Sequence, residues 1–217
     1  MKKYLTIIAI VLLAVVSCGK FEPGGTSIQN LSGEWVCTIY ADGGAGFVSV
    51  DAFYYDPGMR NLIICNTSDN KNEIWLNDMD QEFMEGDLNL KCKVEADDNA
   101  MTFGKLGEIY EDITGAGRMV WGGKVTPNAV NAPGSGSLTD KIEFFIAFEE
   151  DDADGNPATA EPYCCVYYVA GYRFPGFKAD LGPAPELARI IKDDWDVPAE
   201  VPDITEYIPA APAPAAP

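Results

Sequence analysis

The acidic run between residues 150 and 161 has the residue types and spacing of a calcium-binding loop. Counted from its first residue, oxygen-bearing side chains occupy positions 1, 3, 5, 7 and 12, and a glycine occupies position 6. A twelve-residue calcium loop places its ligands in this order around a sharp turn. The predicted calcium ligands are Glu150, Asp152, Asp154, Asn156 and Glu161.

The same stretch also fits a solvated acidic hairpin loop. Its first position is Glu rather than Asp, Pro157 stands where an apolar residue usually anchors a calcium loop, and the predicted flanking elements are strands rather than helices. The sequence therefore leaves calcium and a plain acidic loop open, and it indicates no other cofactor.

Catalytic chemistry is restricted because the chain contains no histidine. This excludes Ser-His-Asp and Cys-His catalysis as well as zinc held by histidine. No G-x-S-x-G elbow occurs either, since the Gly134–Ser137 stretch has the wrong spacing and is typical of a loop. A carboxylate pair could still hydrolyse a glycosidic bond, but no spacing singles out a pair among 34 acidic residues. We predict no catalytic residue and favour binding over catalysis.

The first 18 residues have the order of a bacterial export signal. Two lysines precede an apolar run from Leu5 to Val16, which is too short to be a permanent membrane span. The following Ser17-Cys18 resembles the lipobox of bacterial lipoproteins. That resemblance implies that residues 1–17 are removed and that Cys18 is acylated, which anchors the chain to the cell envelope, with the outer membrane as the expected location. The alternative is an ordinary cleaved signal peptide with an accidental cysteine.

Removal of residues 1–17 leaves 200 residues with 13 basic and 34 acidic side chains, a formal net charge of −21. Such a surface repels nucleic acid and anionic headgroups, whose binding relies on Lys and Arg clusters. Nucleic acid is therefore excluded as a partner, and the predicted membrane contact is the acylated Cys18. Residues 18–30 contain glycine and polar residues and are predicted to form a flexible tether.

Five cysteines besides Cys18 cannot all pair within one chain: Cys37, Cys65, Cys92, Cys164 and Cys165. Cys37 and Cys92 occupy apolar positions of alternating strands, so buried free thiols are predicted for them, although disulfides stay open. The neighbours Cys164 and Cys165 fall on a predicted strand and should point to opposite faces.

Hydrophobic periodicity predicts an all-β fold. Apolar residues alternate with polar ones most clearly over residues 88–95 and 141–149, as in strands with one buried and one wet face. Eight or nine such strands, joined by short turns, lie within residues 31–182, which indicates one antiparallel barrel or sandwich domain. Residues 183–196 could form one short helix, and residues 197–217 are predicted to be a Pro/Ala-rich tail, extended or disordered.

Several short stretches within this domain form an ordered series. They are Leu31–Trp35, Asn66–Thr67, Ile74–Asp78, Leu90–Val94, Met101–Gly104, Asp140–Phe144 and Val169–Phe177. In their order and spacing, behind a lipobox, they resemble the Bacteroidetes lipoprotein family named lipid-binding putative hydrolase. The resemblance implies an antiparallel, lipocalin-like β-barrel of about eight strands and a small apolar or amphipathic ligand.

The alternation also supplies a candidate ligand lining, because an eight-stranded barrel can hold one small apolar ligand. The predicted lining residues are Leu90, Cys92, Val94, Phe144, Ile146 and Phe148, with Leu88 and Ile142 on the same faces. A dry, packed core would show the same pattern. A competing hypothesis is a surface β-sandwich that binds glycan or protein through exposed aromatic residues, namely Tyr54, Tyr55, Trp121, Tyr167, Tyr168 and Tyr172.

Overall fold

The computed structural model describes residues 28–49, 60–68, 72–78, 90–150, 162–181 and 197–209. These residues form ten antiparallel strands and two short 3₁₀ turns, Lys178–Leu181 and Thr205–Tyr207. The strands are β1 (Gly33–Asp42), β2 (Phe47–Ser49), β3 (Arg60–Asn66), β4 (Glu73–Asn77), β5 (Lys91–Asp97), β6 (Thr102–Phe103), β7 (Ile109–Glu111), β8 (Gly117–Asn131), β9 (Leu138–Phe148) and β10 (Tyr167–Arg173).

Eight of the strands close into a barrel. The order β1-β3-β4-β5-β6-β8-β9-β10 is completed by pairing of β10 with β1, from Tyr167 opposite Ala41 to Arg173 opposite Trp35. Of the two other strands, β2 pairs with the end of β1 and β7 with the start of β8. The predicted lipocalin-like barrel of about eight strands is confirmed, and the β-sandwich alternative is wrong because the sheet closes on itself.

Most of the barrel interior is filled by one apolar cluster. Every second residue of β5 and β9 faces inward, so that Cys92 and Val94 are buried while Lys93 and Glu95 are exposed. The six predicted lining residues all lie in this core, and none has any surface accessible to water. Phe103 and Phe144 meet there with ring centroids 5.5 Å apart. The interior of this structure is therefore filled by side chains, and contact of these residues with a ligand stays a prediction.

A second apolar cluster lies on the outside of β1, β8, β9 and β10. Its centre is a row of aromatic rings in which Phe145 stacks on Trp121 at 5.4 Å and contacts Tyr168 at 5.2 Å. Tyr168 in turn lies 5.8 Å from Phe47 and 6.2 Å from Tyr40. Ring pairs at these separations stabilise one another beyond their area of burial.

The predicted exposure of the aromatic residues is wrong for the four that the structure describes. Trp121, Tyr168 and Tyr172 are buried in this outer cluster, and Tyr167 is buried in the barrel interior. Packing of the chain's own C-terminal segment contributes to covering the outer cluster, so these rings offer no stacking surface for a glycan. Tyr54 and Tyr55 lie outside the described residues.

The covering segment is Val197–Pro209, the first part of the predicted tail. Ile204 is only 5% exposed, and Val197, Val201 and Ile208 pack around it against the outer cluster. Composition indicated an extended tail but not this packing, because four apolar residues are inconspicuous among prolines, alanines and acids. The predicted helix at 183–196 falls on residues that the structure does not describe.

The boundaries of β8 and β10 depend on local features of the chain. β8 continues past Thr126 to Asn131, because register shifts after Trp121 and Thr126 let the strand bend and accommodate Pro127. β10 begins at Tyr167, after the neighbouring cysteines, whose Sγ atoms lie 3.7 Å apart. The prediction that they point to opposite faces is wrong because strand alternation has not begun there. Among the described residues, no helix is long and apolar enough to cross a membrane.

Candidate functional site

One end of the barrel, called here the lower end, is where β1 begins and β10 ends. Arg173 closes it: its guanidinium lies 4.3 Å from the Trp35 ring and donates hydrogen bonds to the carbonyl oxygens of Asn30 (2.5 Å) and Ser32. Its Nε also pairs with the Asp140 carboxylate at 2.8 Å. Cation–π and charge-assisted contacts of this kind fix a side chain strongly.

The segment that precedes β1 forms the floor of this end. Ile28 and Leu31 are fully buried in the interior core. Asp98, in the turn after β5, accepts hydrogen bonds from the backbone nitrogens of Asn30 and Leu31 at 2.8 and 3.1 Å. The lower end is therefore closed by apolar packing and by polar contacts to β10 and to the turn after β5.

The opposite, upper end contains a buried cation inside the barrel. Arg118 follows Gly117 at the start of β8 and shares a strand face with the interior residue Val120, so its side chain points inward, where it is fully buried. Its Nη2 lies 2.7 Å from Asp112 Oδ2, and Nη1 and Nη2 lie 2.5 and 3.1 Å from the two carboxylate oxygens of Glu150. Its Cζ lies 5.1 Å from the centre of the Phe148 ring. We call Arg118, Asp112 and Glu150 the upper ion cluster.

The two carboxylates of the upper ion cluster are held differently. Asp112 Oδ1 accepts hydrogen bonds from the backbone nitrogen and hydroxyl of Thr114 and from the nitrogen of Ala116, at 2.7, 2.6 and 3.0 Å. Burial opposes ionisation of Asp112, but these hydrogen bonds and the charge of Arg118 outweigh it and lower the pKa of its carboxyl. The Asp112 side chain is fully buried, whereas that of Glu150 is 41% exposed.

Neighbouring groups complete the upper end. Glu149 accepts a 2.6 Å hydrogen bond from the backbone nitrogen of Gly117. Tyr163 has a left-handed backbone, with φ at 59°, and its hydroxyl lies so close to Gly117 that a Cβ there would stand 2.1 Å from it. Burial and the charge of Glu149 raise the pKa of Tyr163 to about 12, so its hydroxyl stays protonated at neutral pH.

The two interior thiols are poor nucleophiles. Cys37 and Cys92 are buried and free, as predicted. Burial raises the pKa of the Cys92 thiol to about 12 and that of Cys37 further. Because the thiolate is the nucleophile, neither side chain is suited to covalent catalysis at neutral pH.

Among the described residues, β5 and β8 are joined by short pairings, and this region is called here the seam. The two-residue strand β6 pairs with β5 through Ala96 and Asp97 and with β8 through Gly123 and Lys124. Nearer the upper end, a single bridge joins Cys92 of β5 to Asp112. By contrast, β10 pairs with β9 continuously over Tyr167–Tyr172. Beside the upper ion cluster, β7 pairs with β8, and the described residues join this part of the wall to β5 through that bridge.

An open cleft of about 600 Å³ lies at the lower part of this seam. It is lined by Asn72, Glu95–Asn99 and Thr102–Gly104. Two of its acidic side chains already accept hydrogen bonds from the backbone. Asp97 accepts them from the nitrogens of Asn99 and Ala100, both at 3.0 Å, and Asp98 accepts others from the floor segment. The cleft is polar and shallow, which does not suit an apolar ligand.

The predicted calcium ligands are described only at Glu150, whose carboxylate contacts Arg118. Asp152, Asp154, Asn156 and Glu161 lie outside the described residues, so the calcium loop stays a prediction. Within the described part of the chain, no three acidic or cysteine side chains are grouped closely enough to hold a metal ion. Cys18 and the export signal also lie outside the described residues.

The sequence prediction missed the upper ion cluster. One signal was present: in the β8 alternation, Arg118 occupies an inward position that is otherwise apolar. Its partner Asp112 lies beyond a turn, and its other partner Glu150 lies 32 positions away. Alternation can show that a charge faces inward, but it cannot name the groups that neutralise it.

Comparison with known proteins gives one family and one structural likeness. The sequence profile of the family described as lipid-binding putative hydrolase matches residues 20–178. Among solved structures, the chain is similar to a multidomain protein including DUF1735 from Bacteroides ovatus, at 17% identity and a TM-score of 0.26. That likeness covers 66% of this chain and 55%, about half, of the other. A search of curated proteins finds no match.

Proposed function

This chain belongs to the lipid-binding putative hydrolase family, and from that premise we propose that it binds one small apolar or amphipathic, lipid-like ligand in its barrel without catalysis. The observation that carries the proposal is the closed eight-stranded barrel with a large apolar cluster in its interior. Barrels of this size hold either their own side chains or one small ligand. Since the side chains fill the interior, a ligand must displace some of them.

The upper half of the barrel is the proposed place of entry. The lower end is closed by Arg173, Trp35 and the buried floor residues Ile28 and Leu31. Beside the upper ion cluster, β7 pairs with the start of β8 and a single bridge joins β5 to Asp112, while β6 spans the lower part of the seam with two residue pairs on each side. Opening the seam breaks fewer backbone hydrogen bonds than opening any long strand pair, so we place ligand entry there.

We further propose that the chain is a lipoprotein anchored to the cell envelope, in the outer membrane, through acylated Cys18. Nine residues lie between Cys18 and Ile28, and the ten residue steps of an extended chain span at most about 35 Å. Because Ile28 lies in the floor, this tether would turn the closed lower end toward the membrane and the upper end away from it. Mass spectrometry of the mature N-terminus tests the anchor: a diacylglyceryl-modified Cys18 supports it, and an unmodified N-terminus contradicts it.

Ligand binding is tested on protein purified from native membranes. Mass spectrometry of the organic extract should find about one lipid-like molecule per chain in addition to the anchor. Phe148→Ala removes an interior ring, so this variant should co-purify with a larger ligand or with more ligand per chain. Leu138→Ala is the matched control, because Leu138 is 61% exposed outside the barrel. Absence of any stoichiometric lipid from all three proteins, with retention on a polysaccharide column, would overturn the proposal.

The absence of catalysis is proposed from the chemistry of the side chains. The chain has no histidine, and the thiols of Cys37 and Cys92 stay protonated. Incubation with the p-nitrophenyl ester of hexadecanoic acid should release p-nitrophenol no faster than buffer does. A release rate proportional to protein concentration, which persists in a chromatographically uniform preparation, would contradict the proposal.

A further inference from the structure

In the upper ion cluster, a fully buried guanidinium contacts two carboxylates, and one of them is held more firmly than the other. Asp112 is fixed by three hydrogen bonds from its own turn, in addition to Arg118. Glu150 accepts hydrogen bonds from Arg118 but none from its own turn among the described residues, and its side chain is 41% exposed. Of the two, Glu150 is the carboxylate that can leave the cluster and be hydrated again in water.

The contact between Arg118 and Glu150 has the geometry of carboxylate recognition. Two guanidinium nitrogens meet the two oxygens of one carboxylate at 2.5 and 3.1 Å. This paired arrangement is specific for planar anions and is stronger than a neutral hydrogen bond. A ligand carboxylate can occupy the same two positions once Glu150 has moved away.

Such an exchange leaves the charge of the buried cluster unchanged. Removing one partner of a buried ion pair is costly because a charge is left without compensation. Replacing the Glu150 carboxylate by that of a ligand avoids this cost, since Arg118 keeps two anionic partners. A neutral headgroup in the same place would give the guanidinium one anionic partner fewer.

The apolar interior begins directly beside the guanidinium. Phe148 lies 5.1 Å from Arg118 Cζ, and its ring packs edge-on against Tyr167 at 5.7 Å. Cys92, a further interior residue, is close enough for the charge of Arg118 to act on its thiol. An anionic group held at Arg118 would therefore have an apolar tail directed into the core.

We propose that Arg118 is the headgroup site for an acyl carboxylate, and that Glu150 occupies this site in the absence of ligand as an internal competitor. The inference rests on the proposed lipid-binding function and adds the chemical class of the ligand. It assigns Arg118 to binding the headgroup and Glu150 to competing with the ligand carboxylate for Arg118.

The test compares hexadecanoate with hexadecanol, which share a chain and differ in headgroup charge. Affinities are measured by calorimetry, below the aggregation limit of each probe, for the wild type and for Glu150→Gln. The wild type should prefer the carboxylate. Glu150→Gln should bind hexadecanoate about tenfold more tightly, a change of about 1.4 kcal/mol, and should bind hexadecanol as the wild type does.

Two further variants keep the test decisive. Glu111→Gln removes the same charge from an exposed position on β7 and should change neither affinity by more than about twofold. Arg118→Lys keeps the charge but loses the paired geometry, so it should reduce the preference for the carboxylate. Equal affinities for both probes in the wild type and in Glu150→Gln would overturn the headgroup site and leave lipid binding intact. Binding of neither probe by any of the proteins would overturn both.

Discussion

Replacement of Arg118 by methionine probes how strongly the upper ion cluster stabilises the barrel. Arg118 and Asp112 both have fully buried side chains, 2.7 Å apart at their nearest charged atoms. In Arg118→Met, Asp112 keeps its turn hydrogen bonds but is left as a buried charge without a cation. Breaking a buried pair in this way costs about 3–5 kcal/mol, because the remaining charge is neither hydrated nor neutralised.

For a domain of this size, that loss corresponds to a melting temperature lower by about 6–20 °C. The free energy of unfolding is measured by urea denaturation at pH 7, followed by tryptophan fluorescence. Lys124→Met is the matched control, since Lys124 is an exposed cation on the same strand, and it should change stability by less than about 0.5 kcal/mol. The double variant Arg118→Met/Asp112→Asn should recover part of the loss, because it removes the orphaned charge.

The same variants carry a pH dependence with a definite sign. The pKa of Asp112 is lower in the folded chain, because its hydrogen bonds and Arg118 outweigh the effect of burial. Its contribution to stability is therefore complete above the ordinary carboxyl pKa of about 3.9 and is lost as the pH falls through the lowered value. The advantage of the wild type over the double variant should shrink below about pH 4. A loss under about 1 kcal/mol in Arg118→Met, or no recovery in the double variant, would refute the reasoning.

Three other predictions address the core, the covering segment and the thiols. Gly171→Ala should destabilise the barrel by about 1–3 kcal/mol in urea, because a Cβ would stand 2.5 Å from a carbonyl oxygen of β1; full stability would contradict this packing. Ile204→Ala should cost about 2 kcal/mol in the same assay, whereas exposed Ile113→Ala should cost less than about 0.5, and equal effects would argue against packing of the C-terminal segment. At pH 8, Ellman's reagent should label exposed Cys65 in the folded protein but reach Cys92 only after unfolding, and rapid labelling of Cys92 would show an open interior.

Sequence reasoning succeeded where one periodicity decides the structure. Alternation placed Val94 and Phe144 in the interior because a strand has a side-chain period of two, and each slip of one residue would reverse its faces. The barrel could be predicted from many such strands joined by short turns. The seam could not, because β6 is two residues long and carries no periodicity of its own.

The failures share a physical cause, which is that a residue's partners come from distant parts of the chain. Tyr168 looked like an exposed strand residue, but its outer face is covered by a cluster that includes Ile204, 36 positions later. Trp121 is hidden in the same way. Arg118 and Glu150 are likewise separated by 32 positions. Local sequence can indicate that a side chain requires burial or a charged partner, and only the fold shows which residues provide it.

A filled interior is energetically compatible with lipid binding if the ligand is long enough. Parting the seam at β6 breaks a small number of backbone hydrogen bonds, each with a net value of about 0.5–1.5 kcal/mol. Burial of an acyl chain returns about 0.8 kcal/mol per methylene. Chains of more than roughly six methylenes should therefore offset the opening, whereas shorter ones should not. Affinity should thus rise steeply from hexanoate to hexadecanoate, and an affinity independent of chain length would place the ligand outside the barrel.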